Sequence, residues 1–276
     1  MRHFGQYFFE RLFVALVIVL TVAGFWSVYF GADATPKPHH HLHAITNFIW
    51  LALLLLQLSL LEKHSYSTHK KIGLSILIIG PLLVATAALL SVHSAHKGMV
   101  SGQGDFLIVQ NVMVTLELGL IILTGFILRK RRKLHGSFLL STAILMMGIA
   151  LFFTLISFVP AFKIEGPETF YRFETAGATG RYICLIVGAL FFVKDFKHGW
   201  PLLLVGSFHS LNESLNSFLT QRNLIQPLTE FVGSMSPALT FVSSFVALAV
   251  LLAATGILSS SGPNKSFKPK PLRGSA

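Results

Sequence analysis

The sequence is a succession of apolar runs, most of them about 20 residues long, separated by short polar connections. Charged residues make up only 12% of the chain, about half of their share in soluble domains. The hydrocarbon core of a bilayer is about 30 Å thick and a helix rises about 1.5 Å per residue, so one such run can span it. The chain is therefore predicted to fold as a polytopic transmembrane helix bundle of the all-α class.

Eight membrane spans are predicted from these runs. The seventh has a polar second half, GSFHSLNESLNSF, and a seven-helix bundle without it is the alternative. The bundle is assigned to residues 1–260, and the Pro/Gly/Ser-rich basic segment 261–276 is predicted to be a disordered cytoplasmic tail. The spans occupy roughly residues 12–30, 44–61, 72–92, 106–128, 137–160, 178–194, 200–218 and 236–258.

Basic residues are concentrated in the connections on one side of the predicted membrane, including RKRRK at 129–133. The positive-inside rule then places both termini in the cytoplasm and the segment 31–43 outside, with a bacterial inner membrane as the expected location. Basic loops beside spans also explain the isoelectric point of about 10.0. No nucleic-acid partner is therefore predicted, and the expected partner is the lipid bilayer.

Histidines collect at the predicted outer ends of the second and third spans. In PKPHHHLHA, His39 and His43 are four residues apart, and in SVHSAHKG, His93 and His96 are three apart, so each pair shares a helical face. The two spans are antiparallel neighbours, which should bring these ends together. The four histidines are candidate ligands for Zn, Cu or heme iron. The alternative is that they are polar residues suited to the membrane interface.

A second pair of histidines is predicted at the cytoplasmic rim. His69 opens the third span in STHKKIG, and His135 opens the fifth in RRKLHGSF. Two imidazoles from different helices can hold heme b as axial ligands, and the neighbouring lysines and arginines can meet its propionates. The alternative is that both are basic interface residues directed toward water. The single cysteine, Cys184, excludes intrachain disulfides and every CxxC metal site.

Polar residues inside two predicted spans form the third candidate site. Ionisable groups are costly within a bilayer, so they usually face a bundle interior or a wet cavity and mark proton relays or ligand sites. The alternative is a neutral, hydrogen-bonded packing contact between helices. Arg181 is a candidate partner for one of the carboxylates. The polar positions are Gln110 and Glu117 on the fourth span, and His209, Asn212, Glu213 and Asn216 at i, i+3, i+4 and i+7 on the seventh.

One stretch carries a family resemblance. In HAITNFIWLALLLLQLSLLEKHSYSTHKKIG, His43, Trp50, Gln57 and His69 form an H…W…Q…H-[KR]-x-x-G pattern. It resembles a family of uncharacterised bacterial multi-pass membrane proteins, in which a second element, RRxxxHKRLM, opens a later helix. Here KRRKLHGSF departs from that element. More loosely, HKKIGLSILIIGPLLVATAAL is similar to helices of cytochrome b561-like and ferric-reductase-like heme proteins. The match covers roughly residues 39–140 and implies heme or quinone redox chemistry by analogy.

Three classes of function follow from these candidate sites. The first is membrane electron transfer with heme or a metal, with a quinone or another membrane redox subunit as partner. The second is a proton-coupled transporter, or an assembly subunit of a membrane complex, built on the intramembrane polar residues. The third is a zinc-dependent lipid hydrolase that activates water near His43, His93 and His96. No HExxH or GxSxG motif is present, so enzymatic activity is left open.

Overall fold

The computed structural model describes residues 5–31, 34–102 and 104–260. In these ranges the chain forms helices and short connections, which confirms the predicted all-α class. The proposed tail at 261–276 lies outside the described residues. The α-helices are α1 (Phe8–Gly24), α2 (Trp26–Phe30), α3 (Pro38–Glu62), α4 (Tyr66–Gly73), α5 (Ile76–Ser101), α6 (Ile108–Ile127), α7 (Arg132–Phe158), α8 (Tyr171–Lys194), α9 (Trp200–Gln221), α10 (Ile225–Gly233) and α11 (Pro237–Ser260).

Within the described ranges, six helices are long and apolar enough to cross a membrane. They are α3, α5, α6, α7, α8 and α11, so the chain is a multi-pass membrane protein. The remaining two predicted spans also coincide with helices. The span predicted at 12–30 is interrupted at Phe25, between the 17-residue α1 and the short α2. The span predicted at 200–218 is the 22-residue α9 with its polar second half.

Helix boundaries differ from the predicted spans most clearly where the histidines lie. Helix α3 begins at Pro38, because proline suits a first helical position that needs no backbone N–H partner. Helix α5 continues to Ser101 and ends where Gly102 adopts a left-handed φ of 69°. His39, His43, His93 and His96 therefore lie within helices, and their ring directions are fixed by helix packing.

Both ends of the described chain lie at the same end of the bundle. The Lys194 ammonium group donates to Glu10 Oε1 at 2.6 Å, which joins the end of α8 to the start of α1. The Arg129 guanidinium donates to the carbonyl oxygen of Thr255 at 3.2 Å, near the end of α11. We call this the basic end, and the other the opposite end. The basic end holds the connections 63–65, 128–131 and 195–199.

The helices form two groups. Helix α7 packs against α1, α8 and α9, and we call these four helices the α7 group. Helix α5 packs against α3, α6, α10 and α11, and we call these five helices the α5 group. Helix α6 also contacts α7 and α9, so it lies along the boundary between the groups.

Helices α8 and α9 approach each other through glycine. A Cβ atom on Gly188 would lie 2.5 Å from the carbonyl oxygen of Leu202, and one on Gly206 would lie 2.7 Å from that of Cys184. Small residues at such crossings let helix backbones pack closely in membranes, where the hydrophobic effect does not drive helices together. The crossing fixes α9, and with it the polar face of α9, against the bundle.

Topology is tested by the single substitutions Ala34→Cys and Ser260→Cys in a Cys184→Ala background. The positive-inside rule predicts that a membrane-impermeant maleimide labels position 34 only from outside and position 260 only from the cytoplasm. Labelling is measured on intact and on permeabilised cells. The predicted orientation is wrong if position 34 reacts only after permeabilisation.

Candidate functional site

The best-defined polar site lies between α6 and α9 in the bundle interior. Gln110 on α6 and His209 on α9 are joined by a 2.6 Å hydrogen bond from the Gln110 amide nitrogen to His209 Nδ1. The His209 side chain is buried, with 4% of the residue exposed. When the amide donates to Nδ1, the ring proton resides on Nε2.

His209 Nε2 is buried and has no hydrogen-bond partner of good geometry among the described residues. It faces α7 at Gly148, where a Cβ atom would collide with the ring. Glycine at this position therefore makes the space that the imidazole occupies. The backbone of Ile144 and Leu145 on α7 also lies near the ring, without completing a hydrogen bond to Nε2. A buried polar atom without a hydrogen bond is costly. His209 Nε2 is therefore a candidate to bond a water or a ligand, or to gain a partner during function.

Glu117 forms the second half of the site, two helical turns from Gln110 along α6. Its Oε2 accepts a 3.2 Å hydrogen bond from the Asn212 amide, which lies three residues after His209 on α9. Glu117 is 7% exposed and Asn212 is 2% exposed. No lysine or arginine of the described chain forms an ion pair with Glu117, so a neutral amide is its hydrogen-bonding partner. Gln110, Glu117, His209 and Asn212 are called the polar layer below.

A salt bridge borders the polar layer. Arg181 on α8 donates to Glu213 Oε2 at 3.3 Å. Arg181 therefore pairs with one of the carboxylates, as predicted from the sequence. Both side chains are partly exposed, at 24% and 44%. Because the pair reaches solvent or headgroups, we expect it to contribute less to stability than a buried pair. The four residues predicted on α9 thus divide between the buried layer and its border, with Asn216 half-buried one turn further on.

The histidines at the opposite end are close together but differently oriented. The rings of His39 and His93 stack in parallel, with centroids 3.8 Å apart and planes 11° apart. His43 turns into the bundle, where its Nδ1 lies 3.1 Å from Thr86 Oγ1. His96 Nδ1 donates to the carbonyl oxygen of Gly233 at 3.3 Å. The adjacency of α3 and α5 expected from the short loop between them is therefore present.

This arrangement bears on the metal hypothesis. An imidazole binds a metal in its own plane through a ring nitrogen lone pair, and two parallel stacked rings do not share such a plane. In the part of the chain that the structure describes, no three His, Cys, Asp or Glu residues are placed to hold a metal ion. A metal bound by His39, His43, His93 and His96 would need those rings to turn, and it stays a prediction.

The rim histidines lie near each other at the basic end, but His69 lies on the short helix α4 and does not open the third span, which begins as α5 at Ile76. His135 Nδ1 donates to the carbonyl oxygen of Gly125 at 2.7 Å. The Gln57 amide nitrogen faces His69 Nδ1, and its oxygen accepts from the Gly73 N–H at 3.1 Å. Burial, together with the nearby imidazole of His135, lowers the pKa of His69 below its usual 6.5. His135 Nδ1 is therefore a donor and its Nε2 keeps a lone pair, whereas His69 Nδ1 is an acceptor, which puts the proton of the neutral ring on Nε2.

The residues of the H…W…Q…H pattern connect α3 to its neighbours. Trp50 Nε1 donates to Thr142 Oγ1 on α7 at 2.8 Å, while His43 contacts α5 and Gln57 contacts α4. Their seven-residue spacing places them along one face of α3. The pattern thus has a clear structural role in holding α3 to its neighbours.

Some residues around the candidate sites were not expected from the sequence. Gly148, Thr86 and Thr142 carry no motif, and each acts through a partner far away in the chain. The available signal was weak: a glycine within an otherwise bulky apolar run, and threonines on apolar helices. Such residues are common in membrane helices, so their partners emerge only from packing.

No protein-family model matches the chain, and no curated protein or solved structure is significantly similar to it. The resemblance across residues 39–140 therefore stays an expectation. The candidate sites depend on the geometry of this chain alone.

The proximity of the rim histidines predicts a measurable pH effect. Replacing His135 by Gln removes the nearby imidazole that lowers the pKa of His69, so this pKa should rise toward 6.5. A His with a lowered pKa resists protonation in the folded state. Its contribution to stability is therefore present above about pH 6.5 and is lost as the pH falls toward the folded pKa.

Nuclear magnetic resonance of labelled histidine in nanodiscs measures this titration, with His69→Gln to assign the signal. His198, which bonds Asp195 at 3.1 Å at the same end of the bundle, provides the matched control as His198→Gln. An equal response of His69 to both substitutions contradicts a specific His69–His135 interaction.

Proposed function

We propose that the protein is a proton-coupled membrane transporter and that the polar layer between α6 and α9 is its proton-binding site. The observation that carries the proposal is the pairing of a buried carboxylate with a neutral amide, beside a buried imidazole whose Nε2 has no hydrogen-bond partner of good geometry in the described ranges. Ionisable side chains kept inside a membrane bundle at this cost are typical of proton pathways.

The chemistry of the layer suits reversible protonation. A Glu117 held by a lysine or arginine would be fixed in its charged form, whereas an amide partner can hydrogen-bond either form, since it offers both a donor and an acceptor. His209 can release a proton at Nε2 or accept one at Nδ1 if Gln110 turns. Both groups can therefore change protonation state without an ion pair being broken.

The polar face of α9 provides a route from the layer to the opposite end. His209, Asn212, Asn216 and Thr220 follow one another at intervals of three or four residues, so they share one face. Exposure increases along this line, from buried at His209 to exposed at Thr220. A proton or a small polar solute entering at that end would meet polar side chains all the way to Glu117.

Infrared difference spectroscopy tests the proposal directly. The protein in nanodiscs is taken through a pH cycle over the range in which it stays folded, and carboxyl bands that appear and disappear are recorded. We expect one band to vanish in Glu117→Gln and to remain in Glu230→Gln, which alters an exposed carboxylate on α10. A spectrum unchanged by Glu117→Gln means that this carboxyl does not exchange a proton, and the proposal fails.

A second candidate function is membrane electron transfer at the rim pair. What supports it is His135, whose Nδ1 donates to the carbonyl oxygen of Gly125 and leaves a lone pair at Nε2, because ligand histidines usually donate a hydrogen bond through the other ring nitrogen. His69 would need the Gln57 amide to turn its oxygen toward Nδ1 before its own Nε2 could bind. These two residues would hold heme b or a Zn or Cu ion through Nε2, and heme would supply one-electron chemistry with a quinone or a membrane redox subunit.

Absorbance of the purified protein tests this second function. If heme is bound, protein from heme-replete cells shows a Soret band that shifts on dithionite reduction and is lost in His69→Ala. A colourless, iron-free preparation contradicts heme binding at the pair, and it leaves the proton-coupled proposal untouched.

A further inference from the structure

A cleft of about 420 Å³ opens at the opposite end of the bundle, away from the polar layer and the rim pair. It lies between the connection from α5 to α6 and the turn from α9 to α10. This volume is within the range of small-molecule sites. One water molecule occupies about 30 Å³ in the liquid, so the cleft has room for a ligand much larger than water. Its polar lining residues are Asp105, Asn216, Thr220, Asn223 and Gln226.

Asp105 lines the cleft with a buried carboxylate, one oxygen of which has no hydrogen-bond partner among the described residues. Its Oδ1 accepts the Leu107 backbone N–H at 3.0 Å, an ordinary arrangement before a helix. Its Oδ2 is buried and has no hydrogen-bond partner among the described residues, and the residue is only 6% exposed. No described lysine or arginine forms an ion pair with it. A helix-start role accounts for Oδ1 and leaves Oδ2 unexplained.

The other lining groups also offer acceptors to the cleft. The Gln226 amide nitrogen donates to Glu230 Oε1 at 3.0 Å. Its oxygen is left beside Gly104, where a Cβ atom would lie 3.5 Å from it. The Thr220 hydroxyl donates its proton to the carbonyl oxygen of Asn216 at 2.8 Å. Its oxygen can therefore only accept a hydrogen bond from a further group. Asp105, Gln226 and Thr220 therefore offer acceptors to the cleft, and a ligand that matches them supplies N–H donors and positive charge.

We propose that this cleft binds the primary ammonium group of a small molecule, with the Asp105 carboxylate as the counter-ion and Gln226 Oε1 as a second acceptor. A metal ion fits less well, because Ca²⁺ takes about six to eight oxygen ligands, usually several of them carboxylates, whereas one carboxylate is present. The exposed Phe106 and the half-buried Ile225 line the cleft and suit a short carbon chain on the ammonium. The inference does not depend on proton coupling at Glu117.

Calorimetric titration of the protein in phosphatidylcholine nanodiscs tests the site, with ethanolamine hydrochloride as the probe. Choline is the matched ligand control, because it has the same charge and no N–H donors. We expect saturable 1:1 binding of ethanolamine and at least about tenfold weaker binding of choline, since charge-assisted hydrogen bonds are the strong ones. Equal affinity for the two ligands, or no saturable heat with ethanolamine, overturns the proposal.

Three variants locate the binding. Asp105→Asn keeps an oxygen for the Leu107 N–H and removes the charge, so ethanolamine affinity should fall at least about tenfold. Gln226→Ala changes an exposed side chain and should weaken binding several-fold, which tests the site even if the first variant does not fold. Glu165→Gln removes an exposed carboxylate that pairs with Lys163 and should change nothing. Unchanged binding in the two cleft variants, or an equal loss in Glu165→Gln, overturns the proposal.

The ammonium group can come from a free amine or from a lipid headgroup. Nanodiscs that contain phosphatidylethanolamine distinguish the two sources. If the headgroup occupies the cleft, these nanodiscs weaken ethanolamine binding to the unaltered protein. If the ligand is a free amine, ethanolamine binds equally in both lipids. Either result supports the ammonium site and assigns its source.

Discussion

Gly188→Ala is expected to destabilise the bundle by about 2 kcal/mol, in the range measured for overpacked interiors. The added methyl group would lie 2.5 Å from the carbonyl oxygen of Leu202 and 3.0 Å from the Cα atom of Leu203. Both atoms belong to the backbone of α9, so rotation of a side chain cannot relieve the contact. Helix α9 must move away from α8, which also displaces His209 and Asn212 in the polar layer.

Gly136→Ala is the matched control, because nothing lies within 4 Å of a Cβ atom at that helical glycine. Alanine there should be neutral or stabilise the protein by about 0.5–1 kcal/mol through its better helix propensity. Reversible unfolding in mixed detergent micelles, followed by circular dichroism, measures both variants. Similar unfolding midpoints for the two would contradict the close crossing of α8 and α9.

Glu117→Gln is expected to abolish proton-dependent charge movement by the protein. If the polar layer binds the transported proton, a pH jump drives charge into the membrane-embedded site. Glutamine keeps the side-chain shape of glutamate and can keep the hydrogen bond with Asn212, but its amide does not titrate within the pH range of the jump. We expect the displaced charge to fall at least about tenfold, as for loss of an intramembrane proton relay.

Electrical recording on a solid-supported membrane measures this charge after a rapid pH step. Glu213→Gln is the control, because it alters a partly exposed carboxylate one residue from Asn212 and leaves the buried layer intact. A transient current of equal size in Glu117→Gln and the unaltered protein would rule out Glu117 as the proton-binding group.

The predicted helices were recoverable from the sequence because hydrophobic length is a strong signal in a bilayer. Six of the eight predicted spans are helices long and apolar enough to cross a membrane, the first is divided between α1 and α2, and α9 is helical to Gln221 despite its polar second half. The proximity of His39 and His93 was also predictable, since a short connection, which contains α4, joins the two antiparallel helices α3 and α5. Periodicity alone placed Gln110 and Glu117 on one face and His209 and Asn212 on another.

Side-chain partners were much harder to predict, because they depend on helix rotation and on depth. The stripes on α6 and α9 could have paired in several registers, and packing selects Gln110 with His209 and Glu117 with Asn212. The stacking of His39 on His93 has the same origin. The cleft at Asp105 was unexpected, since Gly104 and Gln226 come together only through α10 packing against α5.

The division into an α7 group and an α5 group has a mechanical consequence. Both hydrogen bonds of the polar layer join α6 of one group to α9 of the other, whereas the Arg181–Glu213 salt bridge and the Gly188 crossing lie wholly inside the α7 group. A movement of α9 relative to α6 would therefore stretch the layer's two hydrogen bonds while preserving both of those contacts. The polar layer lies at the boundary between the groups, and its hydrogen bonds lengthen when α9 moves away from α6. A solute that binds between the groups and moves these two helices apart would therefore alter the surroundings of Glu117 without contacting it.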